Sequence, residues 1–191
     1  MKAWRFASAL AFVVVVLSAI NIGFVGIARY DIIGHLARGT FGDVTTGSRI
    51  VFTVIGIAGL VMVPWLVTLV SGRTKAYEEA PTSDAWLMTG WVALLFATLG
   101  AINWGFIGIA KYDVVGAIAG LKFGTLAAGN RIPFTVVGIA GLVLIPFLVS
   151  LLTGQLKLLR PDEFGQRERL EVVSEERVET EVTEEEQRRA A

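Results

Sequence analysis

Four stretches of this chain carry almost nothing but apolar residues: Phe6–Ile27, Ile50–Val70, Leu87–Ile109 and Ile132–Leu152. None contains a charged side chain. A hydrocarbon core of about 30 Å takes roughly 20 residues of helix to cross. Lipid offers backbone N–H and C=O groups no water, so a spanning segment is a helix or a strand of a closed barrel. The runs do not alternate apolar and polar positions, and they are too long for barrel strands. The pattern therefore predicts four transmembrane helices.

The second pair of runs repeats the first at a constant offset of 82 residues. Ala19-Ile20-Asn21-Ile22-Gly23-Phe24-Val25-Gly26-Ile27-Ala28 aligns with Ala101-Ile102-Asn103-Trp104-Gly105-Phe106-Ile107-Gly108-Ile109-Ala110. Arg49-Ile50-Val51-Phe52-Thr53 and Gly56-Ile57-Ala58-Gly59-Leu60 align with Arg131-Ile132-Pro133-Phe134-Thr135 and Gly138-Ile139-Ala140-Gly141-Leu142. Over residues 18–72, 31 of 55 positions are identical without a gap. Shared hydrophobicity does not reproduce Asn, Asp, Arg, Tyr and Pro in register, so the chain is a duplicated two-helix hairpin. The fold class expected is all-α integral membrane, with two tandem parallel repeats and a charged C-terminal tail. Each repeat crosses twice, so both enter the membrane in one orientation, related by a pseudo-two-fold axis along its normal. The domain reading is a first repeat at 1–72, a polar linker at 73–86, a second repeat at 87–156 and an acidic tail at 157–191.

The repeat also decides the nature of the first run. Lys2 and Arg5 ahead of an apolar stretch resemble a secretory signal peptide. The same stretch recurs in mid-chain, where such a peptide has no role, so Phe6–Ile27 reads as a retained helix.

Charge adds a division that the net value hides. Residues 1–160 hold 12 Lys/Arg and 6 Asp/Glu, whereas residues 161–191 hold 5 and 11. A basic membrane body thus carries an acidic tail. The tail's helical spacing (Leu170, Val173, Arg177) conflicts with an alternating stretch at Val178–Val182, and its composition suits a solvated extension. Loop charges nearly balance on the two faces. Lys2 and Arg5 before the first helix favour cytoplasmic termini in a bacterial inner membrane.

Few residues are candidates for chemistry. The chain has no cysteine and one histidine, His35, whose counterpart in the second repeat is Ala117. Disulfides and thiolate sites are excluded, and no cofactor or nucleic-acid partner is expected. Asn21 and Asn103 are the most polar groups within the spans. They suit a ligand contact or, more commonly in membranes, a hydrogen bond between helices, and the pseudo-symmetry could bring the two together. Gly23, Gly56, Gly59, Gly105, Gly138 and Gly141 form small-residue stripes that let helices approach closely or line a path for substrate. Pro64 and Pro146 should bend the second and fourth spans.

The loops between spans carry their own signals. Asp31 is placed to cap a short interfacial helix from Ile32, with its equivalent after Asp113. Asp31 with Arg49, and Asp113 with Arg131, are candidates for ion pairs closing each hairpin mouth. Ser48 and Asn130 are candidate N-caps of the second and fourth spans. Tyr30, Tyr112, Phe41 and Phe123 fit an interfacial aromatic belt.

The segment Ile102-Asn103-Trp104-Gly105-Phe106-Ile107-Gly108, with Tyr112-Asp113-Val114-Val115, Arg131 and Val137-Gly138-Ile139-Ala140-Gly141-Leu142, resembles a small bacterial membrane family. This is the YuzA-like group, domain of unknown function 378. The resemblance implies one two-helix hairpin per copy, here present twice. The first copy departs at Ile22, where the second has Trp104. No activity is attached to the family, so the resemblance implies no catalytic residue. If single-hairpin relatives pair as dimers, this chain is a fused dimer. The function expected is therefore a non-enzymatic structural or accessory membrane component, packing with itself or within a larger complex. The rival is a small channel or transporter subunit, against which stands the lack of ionisable groups in the spans.

Overall fold

The computed structural model describes residues 2–70 and 84–153. Most of the linker and the whole acidic tail lie outside the described residues. Among the described residues seven helices follow in order: α1 (Lys2–Ala28), α2 (Ile32–Leu36), α3 (Thr46–Val70), α4 (Asp84–Ala110), α5 (Val114–Ile118), α6 (Ala128–Val143) and α7 (Ile145–Leu152). The protein is an all-α, multi-pass membrane protein, with four spans at Phe6–Ala28, Thr46–Val67, Ala85–Ala110 and Ala128–Leu152.

Boundaries shift where caps override hydropathy. The second and fourth spans begin four residues earlier than their apolar runs, at Thr46 and Ala128. Residues 84–86, read as linker, open α4. The fourth span is two helices joined at Leu144, two residues before Pro146. Its counterpart Pro64 sits inside an unbroken α3.

The most intimate helix pairs are not the two helices of one hairpin. They are α1 with α6 and α3 with α4, each joining the first span of one repeat to the second span of the other. Glycines set this arrangement. A Cβ on Gly23 would lie 2.5 Å from the Cα of Gly138, and one on Gly105 would lie 2.8 Å from the Cα of Gly56. One turn on, Gly141 faces Ala19 and Ile20, while Gly59 faces Ala101 and Ile102. These glycine contacts made by one half are returned by the other, as a two-fold relation requires.

Large side chains fill the centre. Phe52 stacks on Trp104 with ring centroids 4.1 Å apart, and Phe12, Phe134, Trp65 and Leu94 are fully buried in the same core. Phe41 and Phe123 turn inward instead of joining a belt. Their rings lie 6.0 Å apart, and Phe41 also meets Trp104 and Phe134. The two loops touch at Gly42 and Gly124, where a Cβ on Gly124 would be 2.8 Å from the Cα of Gly42 and both residues have positive φ. Tyr30 and Tyr112 stay exposed near the ends of α1 and α4. Outward faces carry exposed apolar residues such as Leu17, Phe24, Val54, Ile57, Leu99 and Phe106, a surface suited to acyl chains.

Candidate functional site

The polar candidates gather at the loop end of the bundle, where the structure uses them in two devices, each built twice. The first fastens each loop to its own repeat. Asn21 is buried near the end of α1, and its Nδ2 donates to Oδ1 of Asp31 at 3.0 Å. Its Oδ1 accepts from the backbone N–H of Ile32 at 2.9 Å and of Ile33 at 3.3 Å. These N–H groups open α2 and have no partner within it. Asp31 also accepts from the N–H of Gly34 at 2.9 Å as the N-cap of α2. In the second repeat Asn103 donates to Asp113 at 3.0 Å and accepts from the N–H of Val114 at 2.8 Å. The amides therefore do not join one spanning helix to another, nor do Asn21 and Asn103 meet. Each ties a span to the short helix that follows it.

The second device joins the halves. The main chain leaves α4 through Lys111, whose φ of 52° is left-handed, and leaves α1 through Arg29 at 56°. The N–H groups of Lys111 and Tyr112 turn back to the carbonyls of Ile107 and Phe106. The carbonyls of Gly108 and Ile109 remain without a helical donor. Arg49 of the other repeat supplies it, with Nε to Gly108 at 2.9 Å and Nη2 to Ile109 at 2.8 Å. Arg131 does the same for Gly26 at 2.8 Å and Ile27 at 3.0 Å. A cation here also meets the negative end of the helix dipole. Gly26 and Gly108 allow the approach: a Cβ on Gly108 would lie 2.6 Å from the N of Thr53.

The expected Asp31–Arg49 and Asp113–Arg131 ion pairs therefore do not form. Each aspartate is held by its asparagine, and each arginine is drawn across to carbonyls of the opposite repeat. Nor are Ser48 and Asn130 N-caps. Thr45 Oγ1 accepts from the N–H of Ser48 at 3.2 Å, so the cap stands three residues earlier. Asn130, inside the first turn of α6, accepts from the N–H of Ala127 at 3.0 Å and donates to the Thr125 carbonyl at 2.8 Å. The trans capping by arginine escaped the sequence reading because its acceptors are backbone carbonyls, which carry no sequence label. The left-handed Arg29 and Lys111 are equally silent, since neither residue type advertises that conformation.

Asp31 has a displaced titration. Burial raises its pKa above the ordinary carboxylate value, and hydrogen bonds from Asn21, Gly34 and Ile33 oppose that in part. Its Oδ2 is buried without a partner among the described residues. A raised folded-state pKa means that the folded protein holds the proton more tightly than the unfolded chain. The resulting stabilisation is complete below the unfolded-chain value and is lost as pH rises through the folded one. Acidification from neutral pH should therefore raise the thermal unfolding temperature of the native protein more than that of Asp31→Asn. Parallel pH profiles of the two proteins would contradict this assignment.

Among the described residues no group of three or more His, Cys, Asp or Glu side chains is placed to hold a metal ion. The family described as "Domain of unknown function (DUF378)" matches the chain twice, over residues 5–67 and 88–149. The uncharacterized membrane protein YuzA of Bacillus subtilis (strain 168) is 46% identical over 52 residues, 27% of this chain. The match spans 63% of that relative's length. No solved structure matches the chain.

Proposed function

The chain belongs to the DUF378 family in each of its halves, and from that premise we propose that it is a non-enzymatic structural or accessory component of a bacterial inner membrane, which packs with itself or within a larger membrane complex. One observation carries the reading. Four polar side chains buried or half-buried at the loop end are engaged within the chain, and in the same way in both repeats: Asn21 and Asn103 on the loop starts, Arg49 and Arg131 on helix-end carbonyls. An ion pathway or a catalytic centre uses polar groups that remain open to a ligand. Here those groups hold the bundle together.

The outer surface supports the same reading, since the large exposed side chains in the spans, such as Leu17, Ile57 and Leu99, are apolar and suited to lipid or to another helix. Lys2 and Arg5 ahead of the first apolar run favour cytoplasmic termini. That arrangement keeps the acidic tail on the side of synthesis.

Purification of the native protein in a gentle detergent, followed by mass spectrometry, tests the proposal. A defined homo-oligomer or a reproducible set of co-purifying membrane subunits is expected. Ion flux or solute uptake in liposomes holding the pure protein, abolished by Asn103→Leu, would replace this reading with the channel or transporter.

A further inference from the structure

The arginines at the loop end leave part of their chemistry unused. Arg49 gives Nε and Nη2 to carbonyls of α4, and Nη1 has no protein partner among the described residues. Lys111, exposed, follows Ile109 by two residues at the same helix end. The helix terminus brings roughly −0.5 of a charge, so two cations leave this corner clearly positive. The carboxylates of the two loops do not neutralise it. Asp31 and Asp113 are buried on their asparagines, and Asp43 is the remaining acid beside six Lys/Arg over residues 29–49 and 111–131.

An apolar groove runs down from this corner on the outer face of α3 and α4. Its upper part, about 390 Å³, is bordered by Arg49, Ile50 and Gly108. Its lower part, about 130 Å³, is floored by Gly56 and Gly105 and walled by Leu60, Ile102 and Phe106. Thr53 and Ile109 line both parts, so the two adjoin. From Arg49 to Leu60 it follows eleven residues of helix, about 16 Å at 1.5 Å per residue. Half of a hydrocarbon core is about 15 Å. The other half of the molecule has a recess of about 200 Å³ matching the lower part, over Gly23 and Gly138, between Phe24, Ile27 and Leu142. Arg131 and Arg29 stand at its head.

We propose that each groove is a binding site for one anionic phospholipid of the loop-side leaflet. The phosphate sits at the free edge of Arg49 or Arg131, assisted by Lys111 or Arg29, and an acyl chain lies over the glycine crossing. The charge selects an anionic headgroup, the depth matches one leaflet, and the glycines that bring the helices together leave the recess that the chain fills. A neighbouring transmembrane helix would satisfy the groove but not the cations at its head.

The test uses the full chain in detergent, with thermal unfolding and native mass spectrometry. Long-chain phosphatidylglycerol is expected to raise the unfolding temperature and to remain bound at two molecules per chain. Phosphatidylcholine, inorganic phosphate and a six-carbon-chain phosphatidylglycerol are expected to give little shift. The double variant Lys111→Gln, Arg29→Gln leaves the arginine–carbonyl bonds intact and should weaken phosphatidylglycerol binding by about fivefold at each site, the order expected for one basic side chain at an anionic surface. Equal retention of phosphatidylcholine would overturn the proposal. So would phosphatidylglycerol binding unchanged in the double variant, or an equal effect from inorganic phosphate.

Discussion

Cut between Lys75 and Ala76 and co-expressed, the two halves of this protein are expected to reassemble into one complex that co-purifies, and residues 1–75 alone are expected to form a homodimer. The reason is the exchange of partners. Within one half, α1 presents Gly23 and Gly26 to a helix that belongs to the other half, and α3 presents Gly56 and Gly59 in the same way. Arg49 likewise finds its carbonyls only across the boundary. An isolated half keeps its loop fastened by Asn21 and Asp31 but leaves the glycine faces and the arginine without partners. A second copy of the same half supplies both, because Gly56 stands where Gly138 does and Arg49 where Arg131 does. Cross-linking and size measurement of the fragment in mild detergent check this. A stable monomer of residues 1–75 would show that the hairpin packs within itself.

The second large effect is expected at the glycine crossings. Gly56→Leu should prevent α3 and α4 from closing and leave little folded protein, since even a methyl group at this position would land on the backbone of Gly105. Gly56→Ala should cost about 1–3 kcal/mol, the usual range for overpacking a core. Gly47→Ala is the control. Its Cβ would meet only ordinary contacts, at 3.7 Å from Ala37 and 3.8 Å from Thr45. Alanine is favoured over glycine in a helix by up to about 1 kcal/mol, so that variant should match or exceed the native stability. Unfolding by graded addition of a denaturing detergent ranks the three. Near-native stability of Gly56→Leu would mean that these helices sit farther apart.

The spans, their number and the duplication were all legible in the chain, because hydrophobic length and an ungapped match of polar residues are direct records of membrane crossing and of repeat. The short loop helices were legible too, as an aspartate followed by an apolar turn in each loop, although only Asp31 caps its helix through its side chain and Asp113 does not. What misled was proximity along the chain. Asp31 and Arg49 flank one loop, yet the arginine reaches across to Gly108 and Ile109, carbonyls that no alphabet of side chains spells out. Phe41 and Phe123 have the composition of interfacial anchors, but the meeting of the loops at Gly42 and Gly124 folds them over the core. The polar candidates do carry contacts at the loop end, but their partners were not readable, because partner choice depends on which helices cross. Periodicity describes one helix at a time.

Fusion also frees the bundle from a rule that binds any assembly of identical hairpins. There, a residue near the axis must appear twice or not at all. Here Trp104 stacks on Phe52, while its counterpart is the smaller Ile22, and Phe41 rests against Phe134 on that side. A second indole would have to share the same crowded interior. By carrying both hairpins on one chain, the protein gives its two halves separate fates: one can enlarge where the other recedes, and an asymmetric interior becomes heritable.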